Sequence, residues 1–140
     1  MNVLLDTCII MDFLQNREPF SQNAKKIMQV AAMELCTGFI TAKSATDIYY
    51  LTHLCTHSDK KARKKLSQLL SIVNMLDSMA VDVYDAIPSE VSDFEDAVMI
   101  ETAKRSKMDC IVTRNQKDYT KSSVTVYAPE KFIEILEQSE

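Results

Sequence analysis

Val3-Leu4-Leu5-Asp6-Thr7 is an apolar run that stops abruptly at an acid. Three consecutive apolar residues, one of them β-branched, suit a strand buried on both faces of a parallel sheet. An aspartate ending such a strand stands where open α/β sheets place their ligands, in the crevice beyond the strand carboxyl ends. Thr7 adds a hydroxyl beside the carboxylate. A second reading competes, in which Asp6 only caps a helix starting near Cys8, a task aspartate does well. Asp6 alone does not separate the two. The recurrence of acids at later element ends weighs toward a site.

Composition bounds what can surround that strand. Residues 1–140 make one ordinary domain, large enough to bury a core. The single glycine, Gly38, excludes a Gly-rich phosphate loop and argues against an all-β fold with many tight turns. No apolar run is long enough to span a membrane, and no leader precedes the first strand. The expectation is a cytoplasmic chain. Its cysteines, Cys8, Cys36, Cys55 and Cys110, should then be reduced and buried rather than bridged. A net charge of −4 excludes a uniformly basic nucleic-acid binder, although clustered charge matters more than the sum.

Beyond Asp6, Ile9, Ile10, Phe13 and Leu14 recur at helical spacing, and Asp12 reads as an acid on the helix surface in preference to one approaching the Asp6 pocket. A second helix is expected from Ser21 to Leu35, its apolar stripe running Ala24, Ile27, Met28, Ala31. Gly38 is expected to end it as a C-cap or turn. Phe39-Ile40-Thr41-Ala42 reads as the second strand, and a helix from Lys43 to Cys55 follows. His53, Cys55 and His57 form H-x-C-x-H, for which a polar helix end with a buried Cys55 is preferred over a zinc site. Lys60, Lys61, Arg63, Lys64 and Lys65 form the only dense basic run. They open a long helix whose stripe reaches Leu76, and they serve either as a solvated face or as phosphate contacts. Ala80-Val81-Asp82-Val83-Tyr84 reads as the third strand, with a short helix starting at Pro88-Ser89. Asp93-Phe94-Glu95-Asp96-Ala97 opens a helix reaching about Lys107. Asp109-Cys110-Ile111-Val112-Thr113 is the fourth strand and Val124–Tyr127 a fifth, at an edge. Pro129 then fits the first position of a final helix.

Strands and helices alternate throughout. The expected architecture is therefore α/β: three layers, α/β/α, with a central, mainly parallel sheet of four to five strands. Asp6, Asp47, Asp93 or Asp96, and Asn115 or Asp118 all fall near strand carboxyl ends or the helix starts that follow. Three acids within four residues, Asp93, Glu95 and Asp96, exceed what a helix dipole favours, because each adds repulsion. A bound cation relieves it. Oxygen ligands without histidine or thiolate favour Mg²⁺ or Mn²⁺ over zinc, and such an ion suits phosphoryl chemistry.

Taken together, these residues resemble the PIN domains, the nuclease domains of VapC-type toxins. The resemblance rests on Leu4-Leu5-Asp6-Thr7, the Asp47 helix, Asp93-Phe94-Glu95-Asp96-Ala97 and Ile111-Val112-Thr113-Arg114-Asn115-x-x-Asp118-Tyr119, and it spans nearly the whole chain. It implies a metal-dependent endoribonuclease acting on single-stranded RNA and leaving 5′-phosphate and 3′-hydroxyl ends. Asp6, Asp47, Asp96 and Asp118 would be its catalytic acids. Asp6 and Asp96, with Asp93 and Asp118, would serve the metal, and Thr7, Thr113 and Asn115 would be polar neighbours. Asp47 stands where the family usually has glutamate. Asn115 stands where aspartate is common, so that Asp118 takes its role. The resemblance also implies a cognate antitoxin whose segment fills the acidic groove, and a homodimer.

Two rivals come from other classes. A receiver-type phospho-acceptor domain needs paired acids after the first strand and a lysine after the last, but Asp6 stands without an acidic neighbour there and no S/T-x-K-P motif follows. A catalytically inactive PIN-like module that binds RNA or a protein partner is the second, kept open by Asn115 and the short Asp47.

Overall fold

The structure is a computed structural model and describes residues 1–139. Its centre is β1, Asn2–Leu5, where Val3, Leu4 and Leu5 are at most 1% exposed. Parallel partners lie on both sides. β2 (Thr37–Thr41) pairs Gly38 with Val3, and β4 (Cys110–Val112) pairs Ile111 with Leu4. β3 (Asn74–Leu76) extends the sheet beyond β2, and β5 (Val126–Tyr127) extends it beyond β4. The order β3-β2-β1-β4-β5 is wholly parallel. This is the three-layer α/β architecture expected.

Side chains of the central strands alternate between two cores, as period-two geometry requires. Val3, Leu5, Cys110 and Val112 face one side. There they meet Ile9 and Ile10 of α1 (Thr7–Leu14), Ile27 and Met28 of α2 (Ser21–Ala32), Ile48 of α3 (Ala42–Thr56) and Phe132 of α7 (Pro129–Gln138). Leu69, last residue of α4 (Asp59–Leu69), joins this core. Leu4 and Ile111 face the other side, against Ile100 and Ala103 of α6 (Phe94–Arg105) and Tyr119. Full burial of each large aliphatic chain contributes about 1.5–3 kcal/mol, so this sheet holds rigid whatever stands at its edge. Among the described residues no helix is long and apolar enough to cross a membrane.

The third strand corrects the sequence expectation. Residues 80–84 are helical, within α5 (Ala80–Ala86). Asp82 accepts the Met79 backbone N–H at 3.0 Å, a Thr102 hydroxyl at 2.8 Å and the Arg105 guanidinium at 2.8 and 2.9 Å. Those bonds need Asp82 one turn inside a helix facing α6, and they outweigh the β preference of Val81 and Val83, which stay exposed. The third strand is Asn74–Leu76, which the sequence places at the end of the preceding helix; α4 stops at Leu69 instead. The short helix expected at Pro88-Ser89 is a loop. Gly38 caps nothing. It lies within β2, where an added Cβ would stand 3.2 Å from a Val73 methyl, and Glu34, at φ 60°, makes the left-handed turn after α2.

Candidate active site

The order of the sheet reverses between β1 and β4, so the carboxyl ends of these two strands flank an open crevice. Asp6 follows β1 and Thr113 follows β4. The cap expected of Asp6 is present, and the residue also borders this crevice. It caps α1, its Oδ1 accepting the Thr7 N–H at 2.8 Å, while its Oδ2 accepts the Thr113 hydroxyl at 2.7 Å and the Cys8 thiol at 3.7 Å. Burial pushes the Asp6 carboxyl above its usual value despite these donors. The Cys8 thiol is raised as well, by burial and by the charge of Asp6. It therefore stays protonated, a poor soft ligand.

Asp96 approaches from the first turn of α6, with Asp93 at the N-cap accepting the Asp96 N–H at 3.0 Å. The Tyr119 hydroxyl donates to Asp96 Oδ1 at 2.9 Å. Even so, burial and the charges of Asp6, Asp93 and Asp118 push the Asp96 carboxyl up to about 6. The chain turns back after Asn115, which leaves Asp118 near enough for its charge to act on Asp96. Residues Gln116–Tyr119 form a 3₁₀ turn in which the Asp118 N–H donates to the Asn115 carbonyl at 3.0 Å. The Asn115 N–H is held by the Thr113 hydroxyl at 3.1 Å.

Asp47 lines the same cleft as Asp6, Thr7 and Asp96, a depression of about 590 Å³ with Leu51, Val83 and Phe94 on its walls. Its carboxylate is engaged by Lys43 at 2.7 Å, and Lys43 also reaches Glu95 of α6 at 3.2 Å. Burial opposes the charge of Lys43, but its bonds to Asp47 and Glu95 raise its pKa overall. Lys43 is thus a cation of the chain's own, tying α3 to α6 across the cleft mouth.

Among the described residues, no three His, Cys, Asp or Glu side chains stand as a ready ligand set. The H-x-C-x-H histidines do not converge. His53 stacks on Tyr49, Cys55 is exposed rather than buried and accepts from Gln15 Nε2 at 2.8 Å, and His57 is the left-handed cap of α3. Around Asp6 and Asp96 the donors are carboxylate and hydroxyl oxygens, and burial first, then the neighbouring carboxylate charges, raise Asp96. That donor chemistry fits a hard divalent cation.

A family model of the PIN domain matches residues 2–117. The chain belongs to the PIN domain family. Solved structures share its fold at low identity. VapBC2 from Rickettsia felis bound to a promoter DNA fragment aligns at TM-score 0.70 and 14% identity, covering 91% of this chain and 98% of that one. A toxin–antitoxin complex from Klebsiella pneumoniae aligns at 0.68 and 20%, covering 91% and 97%. VapC20 of Mycobacterium tuberculosis, a toxin cleaving the sarcin-ricin loop, aligns at 0.63 and 12%, covering 88% and 98%. A search of curated proteins finds no match.

Several positions in this PIN domain escaped the sequence reading. Asp12 is not a surface acid: it is 1% exposed and receives Arg114 through Nε at 2.6 Å and Nη2 at 3.1 Å. Arg114 also lies over the Phe20 ring, 3.9 Å from its centroid. This clamp ties α1 to the turn that carries Asn115 and Asp118. The signal was present, since Asp12 shares a helical stripe with Ile9 and Phe13. Tyr119 carried no signal, because its role depends on Asp96 arriving from α6; Lys43 was signalled by Asp47 four residues on, but not its reach to Glu95.

The raised Asp96 has a consequence for stability. In metal-free protein its carboxyl binds a proton more tightly folded than unfolded. The contribution is fully present below the usual value of 3.8 and is lost as pH rises through about 6. Asp96→Asn stays neutral and keeps an acceptor for Tyr119. In EDTA at alkaline pH it should melt about 2–5 °C above wild type, with the gap closing in acid. Mn²⁺ should raise the wild-type melting temperature and not that of the variant. Equal melting at alkaline pH would show that the neighbouring acids do not burden this carboxyl.

Proposed function

We propose that this PIN domain is a Mg²⁺- or Mn²⁺-dependent endoribonuclease that cleaves single-stranded RNA, the toxin of a toxin–antitoxin pair acting in the cytoplasm. The observation that carries this reading is the arrival of Asp6 and Asp96, distant in sequence, in one cleft at the sheet's switch point. Family membership supports a nuclease. The VapBC2 complex and the Klebsiella complex support an antitoxin partner, and a homodimer is part of the same reading.

Asp6 and Asp96 would hold the ion, with Asp118 and Asp93 adding negative charge around Asp96 and Asp47 on the outer wall. When bound, a divalent cation supplies an acidified water and offsets charge on phosphate oxygens. The chain's residues prepare that position. Thr113 and the Thr7 N–H fix the Asp6 carboxylate in one orientation, and Tyr119 fixes Asp96. Lys43, once released from Asp47, can meet a backbone phosphate. The inactive-module reading draws on one observation, the engagement of Asp47 by Lys43. The test is direct: purified protein should cut single-stranded RNA with Mn²⁺ or Mg²⁺ and not in EDTA, leaving 5′-phosphates. Intact RNA under both conditions favours the inactive module.

The 3₁₀ turn supports the reading in which Asp118 stands in for Asn115. Asp118→Asn should lower cleavage at least tenfold, about 1.4 kcal/mol in barrier. Asn115→Asp should preserve or raise it. Near wild-type cleavage by Asp118→Asn would mean that three acids suffice.

The basic run lies on α4, where Lys60, Lys61, Arg63 and Lys64 are exposed and Lys65 half-buried. Removing Lys60 and Lys64 together should weaken RNA binding and lower the salt slope by about two. An unchanged slope would leave these residues as a solvated face.

A further inference from the structure

We propose that Tyr50 is a base-stacking platform on which single-stranded RNA passes from the acidic cleft to the cations of α4. Tyr50 is 65% exposed, so its ring face is open to a ligand. It lines the acidic cleft beside Asp47 and Leu51. It also lines a neighbouring depression of about 290 Å³, shared with Tyr49, Thr46, Arg63 and Leu66. Tyr50 is thus the ridge common to both hollows.

The ring beneath it is held in place. Tyr49 meets Tyr50 edge to face, centroids 5.2 Å apart, stacks on His53 at 5.9 Å and donates its hydroxyl to Asp59. Tyr49 therefore acts as a fixed support and leaves Tyr50 open to solvent. A supported ring loses little side-chain freedom when a base lands on it. Every base has a π-face, so such stacking suits a single strand of any sequence.

Charge selects the occupant. Arg63, beyond Tyr49, spends one edge on Asp59 at 3.0 Å while its side chain remains 75% exposed. Lys60 and Lys64, four apart, flank it on the same surface of α4. That helix carries five cations and one acid in an otherwise acidic chain. A polyanion is attracted to it. A second copy of the chain using the same face on both partners would set this charge against itself. Alternating aromatic and basic side chains match a strand that offers bases and phosphates in turn. The inference rests on RNA being the substrate class proposed above.

The test is equilibrium binding of a fluorescein-labelled oligouridylate in EDTA, with cleavage assayed separately in Mn²⁺. Tyr50→Ala should weaken binding about tenfold, and Tyr50→Phe should bind like wild type. Arg63→Gln should weaken binding and lower the salt slope by about one. An abasic site walked along the oligonucleotide should weaken wild type at one position and leave Tyr50→Ala unaffected there. In Mn²⁺, Tyr50→Ala should raise KM with kcat unchanged. Undiminished binding by Tyr50→Ala overturns the platform even if wild type cleaves RNA. So does a change in that variant's sedimentation with RNA affinity intact, which would make the face a protein interface. Tyr50-dependent binding without cleavage by wild type upholds the platform and removes the nuclease reading instead.

Discussion

Asp6→Asn is expected to abolish Mn²⁺ binding by calorimetry and to lower RNA cleavage at least a hundredfold, about 2.7 kcal/mol in barrier. The substitution is close to isosteric. Asparagine caps helices as well as aspartate does, so its amide oxygen can still accept the Thr7 N–H that starts α1. What disappears is the charge at the switch point between β1 and β4. The amide also turns an N–H₂ group toward Thr113, whose hydroxyl must rotate to accept rather than donate. Because burial already opposes ionisation of Asp6, the neutral side chain should not destabilise metal-free protein. Melting in EDTA should be at or above wild type. Loss of cleavage with an unchanged fold places the effect on the chemistry. Undiminished Mn²⁺ affinity in the variant would remove Asp6 from the ion's ligands, and a collapse of melting temperature would reduce it to a structural cap.

The second large effect concerns stability rather than charge at the site. Asp12→Ala should cost about 3 kcal/mol, the lower end expected when one partner of a buried ion pair is removed. Asp12 is buried, with Arg114 bidentate upon it and Arg17 at 3.9 Å. Removing it leaves the Arg114 guanidinium beside Phe20 without a counter-ion. Arg114 keeps 24% side-chain exposure, so water recovers part of its solvation and holds the loss to that lower figure. Urea unfolding should show a lower midpoint with an unchanged slope. The double variant Asp12→Leu with Arg114→Leu should regain most of the loss, because two apolar chains carry no stranded charge. Cleavage should fall in the single variant as well, since the clamp anchors the turn bearing Asp118. A loss under about 1 kcal/mol would show the pair to be solvated.

These two residues also measure what could be read from the chain alone. Asp6 was legible because a buried strand announces itself by composition, and whatever follows it must stand at a sheet edge. Asp93, Asp96 and Asp118 were legible as acids at element starts, where local sequence dictates position. Asp12 was misread because an acid on a short helix is usually solvated, and its partner lies 102 residues away. Tyr119 and the Lys43–Glu95 bridge were missed for the same reason: each acts through a residue that only folding brings near.

The central strands, the helices α1, α2, α3, α6 and α7, and the parallel α/β architecture were determined by hydrophobic pattern within single segments. Burial on both faces of β1 and β4 leaves such segments no alternative structure. The third strand was not so determined. Asn74–Leu76 is a short, half-exposed edge strand with no alternation to betray it. Val81 and Val83 have strand propensity yet lie on a helix, because Asp82 gains four hydrogen bonds from Met79, Thr102 and Arg105 only there. Propensity differences amount to about 1 kcal/mol across the scale, and a buried, charge-assisted network exceeds that. Tertiary structure likewise decided that Asp6 does more than cap α1. One carboxylate oxygen serves the local helix, while the other waits for a hydroxyl delivered by a strand from the far end of the chain.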